Sequence, residues 1–223
     1  MASARKQKTP PPRTARADGN ATRLHILDTA GQVFADKGYA GATSKEICER
    51  AGTNMAAVNY HFGSRDDLYR AVLVEAHRQF LSLEDLAEIA DSAAGAPARL
   101  RALMAQLVEN AARSGAPWGF RVLLREVMMP SPLISALVDD AVLPKARIVL
   151  GLVAEILGLP PDHPAVHRSL IFVIFPCAGL AIAPQAVRGR ILPGLDASRP
   201  GLLDDMMRFI MAGLQAMARA HAP

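Results

Sequence analysis

An all-α fold is what this sequence predicts, and three observations carry it. Past the first twenty residues, apolar side chains recur three and four apart, the period of a helix face. The segments so marked are punctuated by glycine, proline, serine and asparagine where helices start and stop. No stretch alternates with the two-residue period of a strand, no internal repeat appears, and no glycine-rich phosphate loop is present. At 223 residues and 51% hydrophobic, the chain is long enough for one or two domains with a sizeable core.

The first segment, residues 1–19, is rich in proline, lysine and arginine and almost without large apolar side chains. It cannot bury enough surface to offset its ordering entropy, so a disordered basic tail is expected. Its Arg5, Lys6, Lys8, Arg13 and Arg16 could also touch the phosphates or minor groove of DNA. A first helix is predicted from about Thr22 to Lys37, with Leu24, Leu27, Ala30, Phe34 and Ala35 at helical spacing and Gly38 as its stop. Tyr39 is expected to pack under the elements that follow.

Residues 43–69, TSKEICERAGTNMAAVNYHFGSRDDLY, are the most informative stretch. Thr43 with Glu46 forms a capping box, and Gly52 suits the left-handed end of the short helix between them. Asn54 is placed to cap a second short helix, Met55 to about Phe62. Val58 and Phe62, four apart, share its inward face. Gly63 ends it, and Ser64 with Asp67 caps the next helix. Met55, Ala56, Asn59, Tyr60 and His61 are left on the other faces. A short helix with such a surface fits the major groove of DNA, where each base pair shows its own donor and acceptor pattern. The plainer alternative is an αα-corner packed in a core.

The helix from Arg65 to about Phe80 carries Leu68, Val72 and Ala76 on one face and joins this unit to the remainder. Residues 91–97 read as a loop. Helices are then predicted over about 98–113, 118–129, 133–157 with a bend near Pro144, from 165 through the apolar run to Pro184, and over 202–220. The run at 169–183 is shorter than the roughly 20 residues needed to span a bilayer, and Pro176 interrupts it, so it reads as a buried helix.

Composition narrows the function. A formal net charge of +4 and a pI of about 9.4 suit a nucleic-acid partner without establishing one. Cys48 and Cys177 lie far apart in apolar helical patterns and read as reduced core thiols, which points to the cytoplasm; no secretory signal is visible. The six histidines are scattered, and no nucleophile–base pair, metal cluster or cofactor motif stands out, so no enzyme and no cofactor are expected. Asp162, His163 and His167 invite a metal reading. Pro164 lies among them at a helix start where Asp162 makes a good N-cap, and no metal is expected.

The segment AGTNMAAVNYHFGSRDDLYRAV, residues 51–72, resembles the signature of the TetR family of bacterial transcriptional regulators. FRVLLREVMMPSPLISALVDDAV and the later GLPPDHPAV resemble the C-terminal domain of the CecR-like (YbiH-like) subgroup. The resemblance implies an N-terminal three-helix helix-turn-helix domain at residues 20–67 and a helical effector-binding and dimerisation domain at 68–223. It implies a ligand-responsive regulator, read as a repressor, that binds a palindromic DNA operator as a homodimer in the cytoplasm, on the nucleoid, and is released by a small-molecule effector. Phosphate contacts are implied for Ser44, Tyr60, His61 and Arg65, with Thr43 beside them. Lys45, Met55, Ala56 and Asn59 would face the bases, and Asn54 belongs to the same site. The sequence departs from the family pattern at Thr53, Asn59, His61 and Arg65; the last replaces a lysine and can still pair with phosphate in a forked geometry.

The last helix offers a dimer seam in Leu203, Met206, Ile210, Gly213 and Met217, or else simply covers its own core. The family also keeps an effector pocket in the C-terminal domain. Its candidate lining is Met104, Leu107, Trp118, Phe120, Arg121, Leu124, Arg125, Met128, Phe172 and Phe175. For each of these, core packing or a solvated face is the competing reading.

Overall fold

The computed structural model describes residues 13–112, 118–182, 190–192, 194 and 201–222. Among them every regular element is helical. The chain divides into two compact units, Met1–Val72 and Leu73–Pro223.

In the first unit α1 spans Arg13–Gly41, but Gly38 adopts φ 71° and ψ 174° and breaks its helical path. Only glycine takes that conformation readily, so the predicted stop after Lys37 is where the chain turns. The start differs from expectation. Residues 13–19 belong to α1 rather than to a tail, because extending an established helix needs no new nucleus. Residues 1–12 lie outside the described residues. Helices α2 (Ser44–Arg50), α3 (Met55–Phe62) and α4 (Arg65–Phe80) follow. Ile26, Val33 and Phe34 of α1, Ile47 of α2, Val58 of α3, and Leu68, Tyr69 and Val72 of α4 are buried. The Phe34 and Tyr69 rings lie 4.5 Å apart, centre to centre. Cys48 is buried with them as a free thiol.

The unit boundary falls inside α4, between Val72 and Leu73. The second unit continues with α5 (Leu83–Asp91), α6 (Ala96–Ala112), α7 (Trp118–Met128), α8 (Ile134–Leu137), α9 (Leu143–Leu157), α10 (Pro164–Ile182) and α11 (Leu202–Ala220). Helices α6, α9, α10 and α11 pack on one another, with α5 against α6 and α9. Their core includes Leu103, Met104 and Leu107 of α6, Val153 of α9, Val173 and Cys177 of α10, and Ile210 and Leu214 of α11. Burial pushes the Cys177 thiol up to about 12, so it stays protonated. No helix among the described residues is long and apolar enough to cross a membrane.

Two elements depart from the sequence reading. Helix α5 was not expected. Ser82 caps it, its hydroxyl accepting from the Asp85 N–H at 2.9 Å, and Leu86 buries its inner face. The predicted helix over 133–157 is instead α8, a π-helical turn at Val138–Val142, and α9. The irregularity therefore precedes Pro144, which sits in the first turn of α9, where its missing N–H costs no helical bond. Pro176 stays inside α10. Helix α7 lies close on α4: a Cβ on Gly119 would stand 2.9 Å from the Ala76 Cα.

Candidate functional site

Helix α3 is held at both ends. The Asn54 side chain accepts from the Ala57 N–H at 2.9 Å, and the Gly63 N–H donates to the Asn59 carbonyl at 2.9 Å, with Gly63 at φ 85°. Val58 anchors the inner face, 2% exposed, and Phe62 is half-buried under the Arg23 guanidinium, 4.9 Å from its ring centre. That anchoring turns Met55, Ala56, Asn59 and Tyr60 outward, all exposed, Tyr60 at 84%. His61 is half-buried, its ring 5.0 Å from Tyr60 in an edge-on contact. Asn54 thus works as a cap that positions the surface.

The turn before α3 is equally specified. The Thr53 N–H reaches back to the Cys48 carbonyl at 3.0 Å and the Gly52 N–H to that of Glu49 at 3.3 Å, a Schellman closure with Gly52 at φ 58°. On α2, the Thr43 hydroxyl accepts from the Glu46 N–H at 3.2 Å. The Glu46 carboxylate points away from the cap, 2.6 Å from Lys37 and 2.8 Å from Arg50. These two cations hold its pKa below the usual carboxylate range, Lys37 foremost. Lys45 is exposed, with its ammonium 3.9 Å from Glu49, and Ser44 is half-buried. At the start of α4 the Ser64–Asp67 box closes in both directions, Asp67 N–H to Ser64 Oγ at 3.1 Å and Ser64 N–H to Asp67 Oδ2 at 3.2 Å.

Arg65 faces inward. Its Nε and Nη2 donate to the Ala42 carbonyl at 3.3 and 3.0 Å, and Nη2 also meets the Tyr39 carbonyl. The guanidinium lies 4.4 Å from the Tyr39 ring centre. The Tyr39 hydroxyl donates to Asp66 at 2.7 Å. That hydrogen bond, with burial and the Asp66 charge, raises the Tyr39 pKa. Sequence reasoning placed Tyr39 near this unit but missed that it and Arg65 lock the α1–α2 loop to α4.

In the second unit the expected effector residues differ widely in burial. Met104 and Leu107 are fully buried in the core and Trp118 is buried. Phe120 and Leu124 are half-buried, with Phe120 6.3 Å from the Phe80 ring, and Arg121 and Arg125 are exposed. Met128 is 73% exposed, and Phe172 and Phe175 are each 63% exposed. The buried stripe of α10 runs through Val166, Ser169, Val173, Cys177 and Leu180, which turns Phe172 and Phe175 to the opposite face. That periodicity was present in the sequence.

Two buried charges were missed. Lys145 of α9, 7% exposed, donates to His77 Nδ1 at 2.9 Å and to the carbonyls of His77, at 3.2 Å, and Leu81. It therefore caps the C-terminal end of α4 with a cation, the sign the helix dipole favours. Burial, then the Lys145 charge, lowers His77 to about 4; burial lowers Lys145 to about 8. Glu126, 2% exposed, accepts from the Ser131 N–H at 2.9 Å and its hydroxyl at 2.7 Å, closing the turn after α7. Among the described residues no group of three or more His, Cys, Asp or Glu is placed to hold a metal ion.

The outer face of α10 and α11 carries an open apolar groove of about 860 Å³, lined by Phe172, Phe175, Pro176, Phe209, Gly213 and Ala216 among others. Of the expected seam, Ile210 is buried in the unit's own core, and Leu203, Met206 and Met217 are half-buried against it. Gly213 alone of the five is exposed within the groove. The outward stripe of α11 is Phe209, Gly213, Ala216 and Ala220, with Phe209 80% exposed.

Residues 26–72 match the family of bacterial regulatory proteins termed the tetR family. Residues 96–217 match the C-terminal domain of the HTH-type transcriptional dual regulator CecR. Over 54 residues the chain is 37% identical to the HTH-type transcriptional repressor AcnR of Corynebacterium glutamicum, a match covering 24% of this chain and 29% of that protein. Over 51 residues it is 43% identical to the HTH-type transcriptional activator FasR of Mycolicibacterium smegmatis, covering 23% of each. The chain thus spans less than a third of the length of these curated relatives. The crystal structure of FadR from Bacillus subtilis, a transcriptional regulator in complex with stearoyl-CoA, is similar with a TM-score of 0.61 and 16% identity. That likeness covers 85% of this chain and 98% of the other, and it shows a shared fold.

Proposed function

Because the chain belongs to the TetR family of bacterial regulatory proteins, with a C-terminal domain of the CecR type, we propose that it is a ligand-responsive, DNA-binding transcription regulator. It acts in the cytoplasm, on the nucleoid, as a homodimer that represses from a palindromic operator until a small-molecule effector bound in the second unit releases it. The observation that carries the reading is α3: a helix capped by Asn54, anchored by Val58, and presenting Met55, Ala56, Asn59 and Tyr60 to solvent. Side chains so displayed match what a major groove accepts. Asn59 pairs bidentately with an adenine, Ala56 meets a thymine methyl, and Lys45 joins the base contacts from α2. Ser44, Thr43, Tyr60 and His61 hold phosphates and fix the register.

Two copies are supported by the apolar face of α10 and α11, since a palindromic operator requires two reading heads related by a two-fold axis. Release follows if the effector favours an arrangement of the two heads that no longer fits the half-site spacing.

A gel shift on the DNA flanking the chain's own gene tests the core of this. One specific complex is expected, and no complex with any palindrome there sinks the proposal. Asn59→Ala is expected to relax sequence preference, at a cost of about 1–3 kcal/mol at one base pair per half-site, while random-sequence affinity stays near wild type. Deleting the gene raises expression of the flanking promoter if the protein represses.

A further inference from the structure

Helix α3, Met55–Phe62, is too short to hold its shape alone in water, so its neighbours decide how it displays its surface. Val58 secures its inner face. Its last residue is secured differently. Arg23 of α1 lays its guanidinium over the Phe62 ring, 4.9 Å from the ring centre, within the range at which a cation is attracted to an aromatic face. Lys37, Lys45 and Arg50 each lie beside a carboxylate, and Arg65 is taken up by the carbonyls of Tyr39 and Ala42. The Arg23 guanidinium has no ion pair among the described residues, and the Phe62 ring is what it meets.

The contact does not stop at Phe62. The His61 ring lies 6.5 Å from the Phe62 ring, centre to centre, with 60° between the planes. The Tyr60 ring lies 5.0 Å from His61 at 78°. Successive side chains leave a helix about 100° apart, so rings in a row meet edge to face, the arrangement that aromatic quadrupoles favour. Phe62 and His61 are half-buried, and Tyr60 is 84% exposed. A guanidinium and three rings thus form a continuous chain from α1 out to a side chain in solvent. A tyrosine that exposed would otherwise sample several rotamers, and fixing one of them on binding costs affinity. A ring braced in the free protein has that cost removed in advance.

We propose that Arg23 is a positioning residue for DNA reading: through Phe62 and His61 it holds the Tyr60 ring in one orientation, so that α3 meets DNA with that side chain already set. The inference rests on the DNA-binding function proposed above. Two measurements on the full-length chain test it. The first needs no DNA. Labelled with 3-fluorotyrosine, the chain gives fluorine NMR signals from its three tyrosines, and Tyr60→Phe assigns the one from Tyr60. Arg23→Gln is expected to move that signal toward the value of free fluorotyrosine, with helical circular dichroism unchanged. Phe62→Leu, which keeps an apolar anchor but removes the ring, is expected to do the same, and Arg23→Lys to recover part of the shift. The second measurement is fluorescence anisotropy on a labelled duplex carrying the flanking palindrome, over a series of potassium chloride concentrations. Arg23→Gln is expected to weaken binding by about threefold to tenfold per reading head, the worth of one pre-ordered side chain. The slope of log K against log salt is expected to stay at the wild-type value, because a tyrosine contact releases no counterion. A slope reduced by about 0.9 per reading head would make Arg23 a phosphate-binding cation and overturn the inference. A Tyr60 signal that stays in place in Arg23→Gln and Phe62→Leu overturns it as well. If the Tyr60 signal moves but the wild-type chain binds neither the palindrome nor a random duplex at low salt, the brace stands and the DNA-binding reading falls.

Discussion

Arg65 occupies a position where the family resemblance implies a phosphate contact, and its guanidinium faces the protein instead. The departure from lysine has a physical use here, since a planar fork can serve two carbonyls and stack on Tyr39 at once, which an ammonium cannot. Arg65→Ala would strand the Ala42 and Tyr39 carbonyls. We expect it to lower the unfolding free energy by about 1–3 kcal/mol in urea titrations followed by circular dichroism. Arg65→Lys is expected to recover part of the loss. Wild-type stability with uniformly weaker DNA binding would instead return Arg65 to the phosphates. Caps were legible at this scale because they are local: Thr43, Asn54 and Ser64 each bond a backbone N–H three residues on, a distance fixed by helix geometry. The carbonyls that Arg65 meets, and the Lys37 that pairs with the Glu46 carboxylate, were not legible, because they lie outside the helix that carries each residue.

Among the elements, the helix-turn-helix and α4, α9, α10 and α11 were readable from apolar spacing, while α5 and the π-turn at Val138–Val142 were not. Helix α5 is only two turns long, and a short periodic run looks like a loop until its neighbours bury it. The fastening of α4 to α9 was hidden for another reason: a lysine is read as surface by default, and the depth of Lys145 is set by where α9 lands. That fastening has a pH signature. His77 titrates near 4 when folded and near 6.5 when unfolded. Between those values the unfolded chain binds more protons, so stability falls as pH falls from 6.5 toward 4, by at most about 3 kcal/mol. For Lys145, about 8 when folded against 10.5, the unfolded chain again binds more protons in the interval, so stability rises from pH 8 toward 10.5. Urea midpoints across pH 4–11 check both limbs. His77→Gln keeps a hydrogen-bonding group beside Lys145 and is expected to flatten the acid limb only.

For the whole molecule the decisive surface is the outer face of α10 and α11, and here the sequence was half legible. Spacing in α11 suggested a seam. The choice between a stripe that covers the unit's own core and one that faces outward depends on the rotation of the helix, which the identical three-and-four periods of both stripes leave open. The structure resolves that rotation: Met207, Ile210 and Leu214 point in, Phe209, Gly213 and Ala216 point out, and Phe172 and Phe175 of α10 join them. Three phenylalanines on one face, 63%, 63% and 80% exposed, are costly to leave in water and are not spread singly over the surface. The face also combines large rings with small residues, which lets it pack on a copy of itself across a two-fold axis, ring against glycine. A carboxylate at position 209 would meet that axis twice. Each Phe209→Asp protomer loses about 2 kcal/mol of ring burial, so a symmetric pair loses about 4 kcal/mol, roughly a thousandfold in the dimer dissociation constant. Light scattering on the eluting peak should therefore find Phe209→Asp as a monomer at concentrations where the wild-type chain is a dimer, with its helical circular dichroism unchanged. Phe209→Leu, which keeps an apolar side chain, should remain a dimer. A wild-type chain that elutes as a monomer at every concentration would remove the two-headed arrangement and leave α3 reading a single half-site.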